Sequence, residues 1–201
     1  MKKIIQVLAI ISFCLIRTSI AASDSNQDTV FDISLHKPLN IPDCEKTDTG
    51  GSAISASKTI CAISTDIIKK PCGIDDEEIY FPDNLKPEYI KGISIGVSSI
   101  DSNVESIAFA THGYDDQDVV LTELKKKFGK PSKLKLIPLE NNFGRKVNSI
   151  NAFWKKQNFT IEFKGIDSDD IEWGRVSIDS NTFTKADRAC ESAQEAQKKG
   201  L

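Results

Sequence analysis

Residues 91–131, KGISIGVSSIDSNVESIAFATHGYDDQDVVLTELKKKFGKP, contain a change of hydrophobic period that decides the fold class. Ile93, Ile95 and Val97 alternate with Gly92, Ser94, Gly96 and Ser98. The chain then turns at Asp101-Ser102-Asn103 and returns with Ile107 and Phe109 on one face. Period-two alternation on both sides of a polar turn predicts a β-hairpin. Its other face, made of Gly92, Ser94, Gly96, Ala108 and Ala110, is small enough for a helix to pack closely over it. From residue 116 the period lengthens, and Val120, Leu121, Leu124 and Phe128 fall on one side of a helix over 116–128. Asp115, Asp116 and Asp118 suit its positive N-terminal end, and Gly129 and Pro131 stop it.

Working outward, Leu134 and Leu136 alternate as a strand. Residues 150–155 and 159–163 form a second hairpin turned at 156–158, and Gly174, Val176 and Ile178 supply one more strand. Thr184-x-x-Asp187 reads as a variant capping signal. The stripe Ala186, Ala189, Cys190, Ala193 and Ala196 then predicts a C-terminal helix docked against the body. Upstream, Phe31, Ile33 and Leu35 alternate as a short strand, Pro38 and Pro42 extend the chain into Cys44, and 48–52 is a loop. Residues 60–63 and 79–81 are short strand candidates. The core order β-β-α-β-β-β-β-α with hairpin links predicts an α+β fold. The expected architecture is a mainly antiparallel sheet with one central helix, and a C-terminal helix packed on it. No repeat of fixed period is visible.

The N-terminus reads as an export signal. Lys2 and Lys3 precede an apolar run over 4–16, and Ser19 and Ala21 suit the positions before a signal-peptidase cut. The run is too short for a membrane span of about 20 apolar residues. Cys14 follows Phe13 and lies inside the apolar run, which argues against lipidation there. The expected organisation is a signal peptide over 1–21 and one domain over 22–201. Within that domain, 22–82 is an irregular disulfide-containing part and 83–201 the α+β core. The chain carries a formal net charge of −3, and losing Lys2, Lys3 and Arg17 with the signal takes it to −6. An acidic surface repels phosphate backbones and anionic lipid, which disfavours nucleic acid and membrane partners.

Cys44, Cys61, Cys72 and Cys190 remain after the cut, an even set with no CxxC pair and no zinc-site spacing. In an oxidising compartment they are expected as disulfides. Gly92-Ile93-Ser94-Ile95-Gly96 matches G-x-S-x-G, but a nucleophile elbow needs a strand, a sharp turn at the serine, then a helix. Ser94 lies inside an alternating strand instead, with His112 the one histidine after it. His36 and His112 have no Cys or His at ligand spacing. The acidic clusters at 75–78, 115–118 and 167–172 lack the D-x-D-x-D-G spacing of a calcium loop. No catalytic, cofactor-binding or metal residue is therefore assigned.

Ile41-Pro42-Asp43-Cys44, the stretches 108–111 and 124–131, Asn142-Phe143-Gly144, Ala152-Phe153-Trp154 and Gly174-Arg175-Val176 together resemble a recurring type of bacterial exported protein. The resemblance spans roughly residues 31–182 and implies an envelope or secreted location, with no established activity. Cys44 and Cys61 fit its pattern, whereas Cys72 and Cys190 are additions. The resemblance, and the single loop that Cys44 and Cys61 flank, imply Cys44–Cys61 with Cys72–Cys190. Cys61–Cys72 with Cys44–Cys190 stays open.

The expected function is a non-enzymatic exported interaction module whose partner is another protein, with no cofactor. One alternative is a small-molecule or glycan binder stacking its ligand on Trp154, Trp173 and Tyr114. Another is a hydrolase whose site is not legible in the sequence.

Overall fold

Alternation places Ile95, Val97, Ile107 and Phe109 on one side of the first hairpin, and that side becomes the centre of the core. A computed structural model describes residues 27–44, 58–69, 72–140, 144, 146–167 and 170–199; the predicted signal peptide and the 48–52 loop lie outside the described residues. The elements are β1 (Thr29–Val30), β2 (Ile33–Ser34), β3 (Cys61–Lys69), β4 (Asp75–Tyr80), β5 (Ser94–Ile100), β6 (Asn103–Thr111), α1 (Gly113–Phe128), β7 (Lys133–Glu140), β8 (Lys146–Lys155), β9 (Phe159–Lys164), β10 (Gly174–Ser180) and α2 (Asn181–Lys199). β1 and β2 form a small hairpin. The other eight strands build one antiparallel sheet in the order β3-β4-β5-β6-β10-β9-β8-β7. The fold is α+β, as the alternation predicts.

The strand candidates at 60–63 and 79–81 fall at the start of β3 and the end of β4, and both strands are longer than the sequence suggests, within the part read as irregular. They extend the sheet beyond β5. Their pattern is obscured because β4 begins with Asp75-Asp76-Glu77-Glu78, an acidic run that reads as loop. The sheet order also shows a plan that no sequence period betrays. Two four-strand meanders, each followed by a helix, meet at β6 and β10.

α1 buries Val120, Leu121, Leu124 and Phe128 on the core side, as its periodicity requires. Buried Gln117 fixes it to β8, its Nε2 donating to Asn148 O at 3.0 Å and its Oε1 accepting from Ile150 N at 2.9 Å. The helix starts at Gly113, where a side chain would overlap the Ile171 carbonyl. It ends at Gly129, whose φ of 76° suits glycine. Trp154, 1% exposed, donates from Nε1 to Gly129 O at 2.7 Å.

α2 starts earlier than Thr184. Ser180 Oγ accepts from Phe183 N at 2.9 Å, so Ser180 is the cap, and Thr184 Oγ1 donates back to Ser180 O. The alanine stripe is not docked along its length: Cys190 is buried, but Ala189, Ala193 and Ala196 are exposed. Two disulfides are present. Cys44–Cys61 ties residues 42–44 to the head of β3, and Cys72–Cys190 ties the approach to β4 to the middle of α2. Among the described residues no helix is long and apolar enough to cross a membrane.

Candidate functional site

On the sheet face opposite the core, cross-strand register lines up residues of opposite character. One row runs Asp76, Ser98, Ser106, Asp179 across β4, β5, β6 and β10. Ser98 Oγ donates to Asp76 Oδ1 at 2.7 Å and Ser106 Oγ to Asp179 Oδ1 at 2.6 Å, so both carboxylates are oriented by hydroxyls. The next row runs Glu78, Gly96, Ala108, Ser177, Glu162. Three of the smallest side chains lie between two glutamates whose strands are four inter-strand spacings apart, roughly 19 Å. Beyond that row, Arg175 and Lys164 are paired neighbours on β10 and β9. Lys164 lies 3.9 Å from both Glu162 and Asp167.

The result is a cleft of about 620 Å³, floored by the small residues and walled on one side by Phe183 and Asp187 of α2. The sequence predicts a helix packed closely over this small-residue face. Instead α2 makes its main contacts at the centre of the sheet, with β10 and β6, and leaves Gly96 exposed. A Cβ built on Gly96 meets only Ala108 O, at 3.8 Å, so the floor is open. Carboxylates dominate the walls, with cations at one end. The arrangement can hold a polar, mainly cationic extended ligand by charge-assisted hydrogen bonds.

Ser94, the serine of the G-x-S-x-G match, donates to Glu78 Oε2 at 3.2 Å from within β5, and neither histidine is among the residues lining this cleft. His112 occupies the N-cap position of α1 without a side-chain cap bond, while His36 lies against Glu105. Among the described residues no group of three metal-ligating side chains converges; Asp169 of the third acidic cluster is outside them. The aromatic trio divides. Trp154 is a core residue and cannot stack a ligand. Tyr114 and Trp173 remain 38% and 42% exposed beside each other, Tyr114 N donating to Ile171 O at 2.8 Å. Lys91 Nζ already stands 4.2 Å over the Trp173 ring. The cleft itself was not legible in the sequence, because its walls come from β4, β9, β10 and α2 and meet only through sheet register.

No protein-family model, curated protein or solved structure matches this chain. The likeness to a recurring exported type therefore rests on its short motifs alone. Several of these are structural here: Ala108 floors the cleft, Phe128 and Gly129 close α1, and Trp154 seals the core.

Proposed function

We propose that this chain is a non-enzymatic exported interaction module of the bacterial envelope, of the inhibitor, immunity or assembly-accessory type, with another protein as its partner. The observation that supports this is the open cleft, whose floor of small side chains runs between Glu78 and Glu162 and is long enough to seat an extended segment. Its carboxylates favour a partner segment bearing Lys or Arg. Export is supported by the N-terminal pattern and by two disulfides, which persist in oxidising compartments.

The test is affinity capture from envelope extract with the native chain and with a Glu78→Lys, Glu162→Lys double variant. Both positions are on the sheet surface, so the variant should fold. One specific protein held by the native chain and released by the variant supports the reading. Equal capture by both, or turnover of a hydrolase panel by the native chain, overturns it.

A second reading, glycan binding, is favoured by the partly exposed rings of Tyr114 and Trp173. Retention on glycan resin that is lost in Trp173→Ala and kept in the double variant would select it.

A further inference from the structure

β7 is an edge strand with an unusual surface. Among the described residues it pairs only with β8, and the other side of its backbone has no described strand partner. Its sequence, KLKLIPLE, includes Leu134 and Leu136, which remain 49% and 64% exposed. Register places them beside Ala152 and Ile150, on the core face of the sheet but beyond the cover of α1. Lys133 and Lys135 lie on the opposite face, beside Phe153 and Asn151. At the same edge a groove of about 560 Å³ separates the end of α1 from Leu134 and is rimmed by Lys125 and Lys130. None of these four lysines is ion-paired with a described residue.

Edge strands commonly carry Lys and Pro to prevent unwanted pairing, and Pro138 serves that purpose over the second half of β7. The lysines also choose among partners. A second copy adding antiparallel through residues 133–137 would bring the Lys133 and Lys135 side chains of both copies onto one face, an arrangement that like charge disfavours. An acidic strand meets the opposite condition. We infer that residues 133–137 accept a strand from an acidic partner, one whose acidic residues alternate with apolar ones. The acids would face Lys133 and Lys135, and the apolar residues would extend the Leu134–Leu136 surface. The groove rimmed by Lys125 and Lys130 would take a further acidic group at the end of that strand. This surface is separate from the acidic cleft and selects the opposite charge.

The probe is a synthetic peptide of about eight residues alternating Glu with Val and Leu, titrated into the full chain while backbone amide shifts are followed. Expected are shifts concentrated at residues 133–137, and affinity lowered at least about tenfold by Lys133→Glu with Lys135→Glu. Both substitutions are at exposed positions, and circular dichroism checks that the variant folds. Leu136→Ser should weaken binding while leaving the charge unchanged. Absence of binding at millimolar peptide, equal binding of a Lys-for-Glu peptide, or binding unaffected by the charge reversal would overturn the inference. So would a concentration-dependent dimer of the native chain that Leu136→Ser abolishes, because the edge would then belong to a second copy.

Discussion

Between Ser98–Ser106 and Ser99–Val104 the register of β5 and β6 shifts, and Glu105 is the extra residue. The bulge turns its carboxylate into a buried position, where His36 Nδ1 lies 3.3 Å from Oε1 and 3.2 Å from Oε2. The second contact is close but not aligned as a hydrogen bond. His36 is fixed in turn by its backbone N, which donates to Val104 O at 2.7 Å. His36→Ala leaves the carboxylate buried without this partner and should cost about 1–3 kcal/mol. Glu105→Gln removes the charge and leaves a half-exposed histidine, so it should cost less. Urea midpoints at constant m-value measure both, and the reverse order would show that the pair is not held this way. Tyr89, at the opposite end of β6, offers a test by pH. Its burial, and secondarily the Glu123 carboxylate, raise its pKa above 10.0. The folded state therefore keeps a proton that the unfolded state loses. The stabilising term is complete below pH 10 and declines as pH rises through the folded-state value. Unfolding midpoints should fall in that alkaline range, and Tyr89→Phe should reduce the fall.

Among the elements, α1 was the most legible. Its apolar positions recur at helical spacing, and the structure buries the same four residues. Leu124→Ala should cost about 2–5 kcal/mol. Lys126→Ala, on the exposed side with only Glu123 at 3.8 Å, should change stability by less than about 0.5 kcal/mol. Equal costs in thermal unfolding would mean that the face is misassigned. α2 was legible as a helix but not in its attachment. A run of alanines reads as a packing stripe, yet only the first turns and Cys190 meet the body. Burial depends on what lies opposite, and nothing in the run itself shows that the sheet ends short of it. The Cys72–Cys190 bridge closes a loop of 118 residues in separation, worth roughly 4–5 kcal/mol in the chain-entropy model. Cys190→Ser should lower the melting temperature, raise amide exchange over the exposed half of α2, and leave a new thiol at Cys72. A new thiol at Cys44 would contradict the pairing. β4 was the least legible element, because its first four residues are all acidic and its strand character comes from pairing with β3 and β5.

For the whole molecule, sheet order assigns different roles to the two faces. One face is covered by α1 and forms the core. The other is crossed by α2 chiefly at the centre, and the cleft lies beside that crossing. Hairpin reading found the strands from β5 onward, but sequence could not show that the two meanders join side by side, since that join is made by residues 63–73 apart. This join has a kinetic consequence. Every other strand pairing in the large sheet links neighbours in the chain and closes a short loop, whereas β6–β10 alone requires distant segments to meet. Long-range pairing is slow, because chain entropy is lost before contacts form to offset it. Joining the halves should therefore limit the folding rate. Shortening Ile107 or Ile178 to Val, at facing positions on β6 and β10, should slow refolding. Val147→Ala, in the outer β7–β8 hairpin, should chiefly speed unfolding. Stopped-flow chevrons would show the contrast as high φ-values along the seam and low ones at the edge. Until the seam closes, the two meanders are separate sheets with four edges between them, twice the number in the finished eight-stranded sheet.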